Sequence, residues 1–255
     1  MELNYKTFGQ GSPVLILHGL FGTLDNWQTI GKQIAEHHMV YLIDQRNHGK
    51  SPHTDDFNYP LLAEDLHHFM ESQWIHEAHI IGHSMGGKTA MQFALDYPDM
   101  VDRLAVIDIG PKAYVGGHQD IFAAMLDLPI GQINTRQEAA DFLAQRIPDE
   151  GVRLFLLKNL SRQKEGGYRW KHNLQALHTH YAEILEPVIG PPVDQETLFV
   201  RGGNSNYIEN EDWPQIQAMF PAARLETVAG AGHWVHAEQP QKLLEILLPF
   251  LNESS

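Results

Sequence analysis

The chain has 255 residues, enough for one large α/β domain, and it contains no cysteine, which excludes disulfides, cysteine-based metal sites and thiol catalysis. Its formal net charge of −14 argues against nucleic acid, whose phosphates it would repel. The start, MELNYKTFGQGSP, shows no basic region followed by an apolar run, and no segment approaches the ~18 apolar residues of a membrane span; the expectation is a soluble, cytoplasmic protein.

Along the chain, short apolar runs alternate with longer amphipathic segments. Leu3–Phe8 reads as an antiparallel edge strand; Val14–Leu17, Val40–Ile43, His79–Ile81, Leu104–Ile107, Thr197–Val200 and Arg224–Val228 read as core strands. Helical patterns fall at Asn26–Glu36, Pro60–Glu71, Gly87–Asp96, Asp212–Met219 and Pro240–Leu251. This alternation predicts an α/β fold with a mostly parallel central sheet flanked by helices on both faces. The interval 111–192 breaks the rhythm. It holds helical patterns at Ile121–Leu126, Arg136–Gln145, Gly151–Leu160 and Leu174–Leu185, and a hairpin-like SRQKEGGYRWKHN. That is too long for a loop in a compact domain. It reads as a helical cap inserted after the strand ending at Ile107, taken as the sixth strand, in a core formed by 1–110 and 193–255. The pairs His37-His38 and His67-His68 lie in polar stretches and read as surface residues.

The strongest chemical signal is HIIGHSMGGKTA, which contains Gly82-His83-Ser84-Met85-Gly86. An apolar run precedes this G-x-S-x-G pattern and a helical pattern follows, the context a nucleophile elbow needs. A serine hydroxyl requires a base, and His233 in VAGAGHWVHAEQP supplies one after the last strand; His236 is its nearest rival. In VLILHGLFG, a main-chain N–H just past His18-Gly19 is placed to hold an oxyanion. Leu20 is the first candidate and Phe21 the second, with Met85 as the partner donor. His18 itself reads as a loop-fixing residue.

The histidine needs an acid, and the place where one is often found, TLFVRGGNSNYI, holds Ser205 instead. In RLAVIDIGP, Asp108 interrupts an apolar run at the C-terminal end of a strand, the edge where catalytic groups collect in open parallel sheets. A buried aspartate is costly unless paired, so Asp108 is the candidate acid. The competing readings are that it only caps the turn, or that Glu209 is the acid.

Together VLILHGLFG, IDQRNHGKS, IGHSMGG and GAGHWVHAEQP resemble the α/β-hydrolase superfamily over about residues 12 to 250, the cap largely excepted. HGLFG with DNW, D-x-RNHG-x-S, GHSMGGK and RGGNS resemble the YbfF-type bacterial carboxylesterases, relatives of the mitochondrial abhydrolase esterases. The resemblance implies the α/β-hydrolase fold and a serine carboxylesterase with Ser84 as nucleophile, His233 as base, Asp108 as acid and Ser205 supporting the acid–histidine network. It also makes Asp44 and Arg46 structural.

The expected reaction is hydrolysis of short- to medium-chain acyl esters through an acyl-enzyme on Ser84. The expected partners are a small-molecule ester or thioester and at most a second copy of the chain, monomer or homodimer, with no cofactor or metal. Phe21, Trp234 and Tyr207 are candidate substrate contacts; Tyr114, Phe122, Met125, Phe142, Phe155 and Trp170 are further candidates, each individually as compatible with core packing. An acyl-CoA thioesterase is an alternative, with Lys88, Lys112, Arg162 and Lys164 available for phosphates but reading as solvated charges. A carbon–carbon bond hydrolase or lyase on the same scaffold is another, and a non-catalytic ligand-binding module a third. His76 and His79 have no third metal ligand in sight.

Overall fold

The computed structural model describes residues 1–253. Its centre is a seven-stranded sheet ordered β1-β3-β2-β4-β5-β8-β9. The strands are β1 (Tyr5–Phe8), β2 (Pro13–Leu17), β3 (Met39–Ile43), β4 (Ala78–His83), β5 (Val101–Ile107), β8 (Glu196–Gly202) and β9 (Ala223–Val228), with β6 (Leu160–Arg162) and β7 (Tyr168–Trp170) forming a separate hairpin. Within the seven-stranded sheet, among the described residues, only β1 runs antiparallel, against β3. The helices are α1 (Gln28–Ile34), α2 (Tyr59–Ser72), α3 (Met85–Asp96), α4 (Gln119–Asp127), α5 (Arg136–Ala144), α6 (Glu150–Leu157), α7 (Leu174–Thr179), α8 (Tyr181–Leu185), α9 (Trp213–Met219), α10 (Val235–Glu238) and α11 (Pro240–Asn252).

The central strands are covered on both faces, which is why they read as apolar runs without alternation. Leu15, Leu17, Ile80, Leu104, Val106 and Phe199 pack toward α2, α3 and α9. Val14, Ile16, Ile81, Ala105, Ile107 and Val200 pack toward α1 and α11. The segment between β5 and β8 builds its own apolar cluster, with Phe122, Leu143, Leu156 and Leu177 wholly buried, and joins it to Phe21, Tyr59 and Met85 of the core.

Several sequence expectations change in detail. The helical insertion follows the fifth strand of this chain, because a single strand, β1, precedes β2. The expected helix Asn26–Glu36 divides into a 3-10 turn, Leu24–Trp27, and α1, with Trp27 off helical geometry at φ −104° and ψ 1°. The helix expected to reach Leu160 ends at Leu157, since Leu160 opens the hairpin opposite Trp170. The pattern Leu174–Leu185 breaks at His180, whose Nε2 donates to the main-chain oxygen of Asp55 at 2.7 Å. His38 is buried rather than on the surface, its ring edge-on to His79 at 5.6 Å.

Candidate active site

At the end of β4 the chain bends sharply into α3. Ser84 occupies the bend with φ 53° and ψ −120°, a conformation a residue with a Cβ holds only under constraint. The glycines on either side make the bend possible. A Cβ on Gly82 would lie 2.2 Å from the main-chain oxygen of Gly86, and one on Gly86 would lie 2.5 Å from those of Leu17 and His18. Ser84 therefore stands at the C-terminal edge of the sheet, at the positive end of α3.

His233 reaches the serine from the loop between β9 and α10. Its Nε2 faces Ser84 Oγ at 3.0 Å and its Nδ1 faces Asp108 Oδ2 at 2.8 Å. The carboxylate is an acceptor, so Nδ1 carries the proton and Nε2 is free to accept from the hydroxyl. Two further contacts fix the ring. His83 Nε2 donates to the main-chain oxygen of His233 at 2.8 Å, and Tyr207 lies flat on the imidazole with centroids 3.7 Å apart. The rival His236 stacks instead on Trp27 at 4.5 Å; burial pushes it down to about 3.

Asp108 is fully buried directly after β5. Three donors converge on its carboxylate: Gly202 N on Oδ1 at 2.8 Å, and Ser205 Oγ at 2.5 Å with His233 Nδ1 on Oδ2. Its φ of 51° is a left-handed value that Asp tolerates better than most residues. The position one strand away from the β8 loop follows from the sheet. β5 and β8 are neighbours, with Ile107 opposite Val200, so a residue just past β5 stands level with the β8 loop. Ser205 comes from that loop and caps the carboxylate. Glu209 lies on the surface, where its main-chain N–H bonds Asp212, and has no contact with His233.

After β2, residues 18–22 curl against the serine. A Cβ on Gly19 would meet Ser84 Cβ at 3.1 Å, and Gly22 N closes a turn onto Gly19 O at 2.9 Å. The main-chain N–H groups of Leu20 and Met85 have no partner among the described residues. His18 is spent inside the loop: Nδ1 donates to Gly19 O at 2.9 Å and Nε2 accepts from Gln45 N at 3.0 Å. Asp44 accepts from Leu24 N, Asn4 Nδ2 and Lys50 N, while Arg46 pairs with Asp65 at 2.6 Å; both hold loops and neither reaches Ser84. The insertion also braces this loop, through Asn159 Nδ2 to Phe21 O at 2.7 Å.

Two cavities meet at Ser84. One, of about 150 Å³, is lined by Leu20, Phe21, His118, Phe155, Tyr207, His233 and Trp234. The other, of about 330 Å³, is lined by Tyr59, Met85, Lys88, Tyr114, Tyr181, Ile184 and Tyr207, and shares Leu20 and His118 with the first. Phe122, Met125, Phe142 and Trp170 line neither. Phe122 packs behind Phe21 at 4.8 Å, and Trp170 Nε1 donates to Met125 O at 3.2 Å. Lys88 is not a solvated charge but is 1 % exposed, its ammonium bonded to the main-chain oxygens of Leu185 and Glu186. Lys112 pairs with Asp212 at 2.6 Å, and Arg162 and Lys164 are exposed in the β6–β7 hairpin. Sequence reasoning missed His83, His118 and Asn159. His83 sits inside the G-x-S-x-G pattern, and that adjacency was its signal; the other two lie in the insertion, where nothing local marks them.

The sequence profile of the α/β hydrolase fold matches residues 12–240. Esterase YbfF of Escherichia coli K12 is 40% identical over 243 residues, covering 95% of this chain and 94% of its own. The sn-1-specific diacylglycerol lipase ABHD11 of Danio rerio is 37% identical over 263 residues, covering 98% and 83%. Among solved structures, a marine microorganism esterase superposes with a TM-score of 0.96 at 43% identity, over 98% of this chain and 99% of that one.

Proposed function

The chain is an enzyme of the α/β-hydrolase family, and from that premise we propose that it is a serine carboxylesterase acting through an acyl-enzyme on Ser84. The observation that carries the reading is one imidazole bridging Ser84 Oγ at 3.0 Å and Asp108 Oδ2 at 2.8 Å, beside two main-chain N–H groups without partners among the described residues. In this reading Ser84 Oγ attacks the ester carbonyl while His233 Nε2 takes its proton. Leu20 and Met85 donate to the oxyanion as it forms. His233 then returns the proton to the leaving alcohol, and repeats the step with water to release the acid. Asp108 holds the tautomer and stabilises the imidazolium; Ser205 and Gly202 N hold Asp108.

The cavity walls support a small acyl ester, with Phe21, Trp234 and Tyr207 as substrate contacts. A coenzyme A thioester finds less support, because Lys112, Arg162 and Lys164 line neither cavity. The same reading treats residues 111–192 as a cap that shapes both cavities, and the protein as a cytoplasmic enzyme working as a monomer or homodimer. Among the described residues no helix is long and apolar enough to cross a membrane.

The test is turnover of p-nitrophenyl esters from acetate to palmitate, with matching acyl-CoA thioesters. Short esters should be hydrolysed fastest, and Ser84→Ala should lose about 10⁵-fold or more in kcat. No turnover of any member by the wild type, or turnover that survives Ser84→Ala, overturns the proposal.

A further inference from the structure

Lys88 lies in the first turn of α3, its main-chain N–H on Ser84 O at 3.1 Å, and it lines the same larger cavity as Ser84. The lysine is almost wholly buried. Two of its three donors go to the main-chain oxygens of Leu185 and Glu186, and the rings of Tyr114 and Tyr59 stand 4.9 Å and 5.7 Å away. These partners are uncharged. The exposed Glu186 carboxylate acts on Lys88 only beyond ion-pair distance, and no carboxylate pairs with it among the described residues. A buried cation without an anion is costly. Three tyrosine hydroxyls of the cavity are already committed: Tyr59 donates to Ile184 O and Tyr114 to Tyr207 O, both at 2.7 Å, and Tyr181 pairs with His118 Nδ1 at 2.8 Å. The third N–H of Lys88 has no partner among the described residues and, beside the Tyr207 hydroxyl, is the charge-assisted donor this cavity offers.

The two cavities also divide the substrate. The leaving alcohol must stand at His233 Nε2 to take its proton, and His233 lines the smaller cavity but not the larger. The acyl arm then occupies the larger one, between apolar walls, with Lys88 ahead of it. We infer that the acyl group this enzyme is built for carries a carboxylate at its far end, paired with Lys88, so that the preferred substrates are monoesters of short dicarboxylic acids. This inference rests on the esterase reading above and names its substrate class.

Burial pushes Lys88 down to about 7, so the cation is only part-populated at neutral pH and an acyl carboxylate would hold it charged. The titratable groups around it do not change over the same interval. Burial raises Tyr59 on α2, Tyr114 after β5 and Tyr207 after β8, and lowers His118 ahead of α4 to about 4.

The experiment follows acid release from monomethyl succinate, adipate and suberate against methyl butanoate, hexanoate and octanoate. The readout is the ratio of kcat/KM, dicarboxylic to monocarboxylic, at matched length. In the wild type the ratio should exceed about tenfold for at least one length. It should fall toward unity in Lys88→Met and Lys88→Gln. It should also fall in the wild type as pH rises through about 7, because Lys88 loses its proton while the acyl carboxylate stays ionised; any pH effect shared by the two series cancels in the ratio. A lysine that only ties α8 to α3 leaves the ratio flat. A ratio at or below unity at every length, or one unmoved by both substitutions and by pH, overturns the inference while leaving the esterase intact. No hydrolysis of either series overturns the inference, and turnover of the p-nitrophenyl esters then decides the esterase reading separately.

Discussion

Acidification from about pH 7 to about pH 5.5 should destabilise this protein steeply, because it buries neutral histidines. His118 is lowered to about 4, and His172 and His236 to about 3, in each case by desolvation first. The unfolded chain protonates these residues near 6.5, the folded chain far lower. Their contribution to stability is therefore present above about 6.5 and is lost as pH falls below it, until the folded-state values are reached. Between pH 7 and 5.5 each costs about 1.2 kcal/mol, and the three together about 4 kcal/mol. That is a large part of the ~5–15 kcal/mol typical of a domain. His48 and His83, also lowered by burial, act in the same direction. His180 is raised, by its bond to Glu183, and opposes them, but it lies where water screens the effect. The assay is urea unfolding at the two pH values, followed by the fluorescence of the buried Trp27. His236→Gln should remove about 1.2 kcal/mol of the pH-dependent loss, whatever it does to stability at pH 7. Equal unfolding free energies at both pH values, or a full loss retained in His236→Gln, would refute the argument.

Asp108→Asn should lower kcat by about 10³- to 10⁴-fold, since an amide cannot hold the tautomer His233 needs, while Asn tolerates the left-handed backbone there. Ser205→Ala should cost about tenfold or less and Glu209→Gln nothing measurable; near-wild-type turnover in Asp108→Asn with loss in Glu209→Gln would displace Asp108 as the acid. Gly86→Ala should destabilise by about 3 kcal/mol or more in thermal unfolding, although the same change in an ordinary helix stabilises, because its Cβ would lie 2.5 Å from two main-chain oxygens; an unchanged or raised Tm would show that the elbow can relax.

The elements of the site that are local in the chain were legible. G-x-S-x-G between an apolar run and a helical pattern states its own geometry, and His233 follows the last strand in a glycine-rich loop. Asp108 was legible only as an anomaly, a charge in an apolar run. What explains it is the β5–β8 register, a fact of the sheet and not of either segment. Lys88 was misread because a lysine in a helix is ordinarily solvated; its burial depends on α8, nearly a hundred residues later in the chain. The aromatic residues of 111–192 could not be sorted in advance. Phe155 lines a cavity and Phe122 supports one, and both obey the same helical spacing.

Asn159 ties the insertion to the main chain at Phe21, one residue past the Leu20 amide. In the proposed esterase, the wall that would select a substrate is thus also the buttress of the loop that would stabilise its transition state. Binding and rate share a mechanical part. A cap exchanged between relatives to alter chain-length preference would have to bring its own anchor for this loop, and one that fits the cavity but drops the anchor would bind well and turn over slowly.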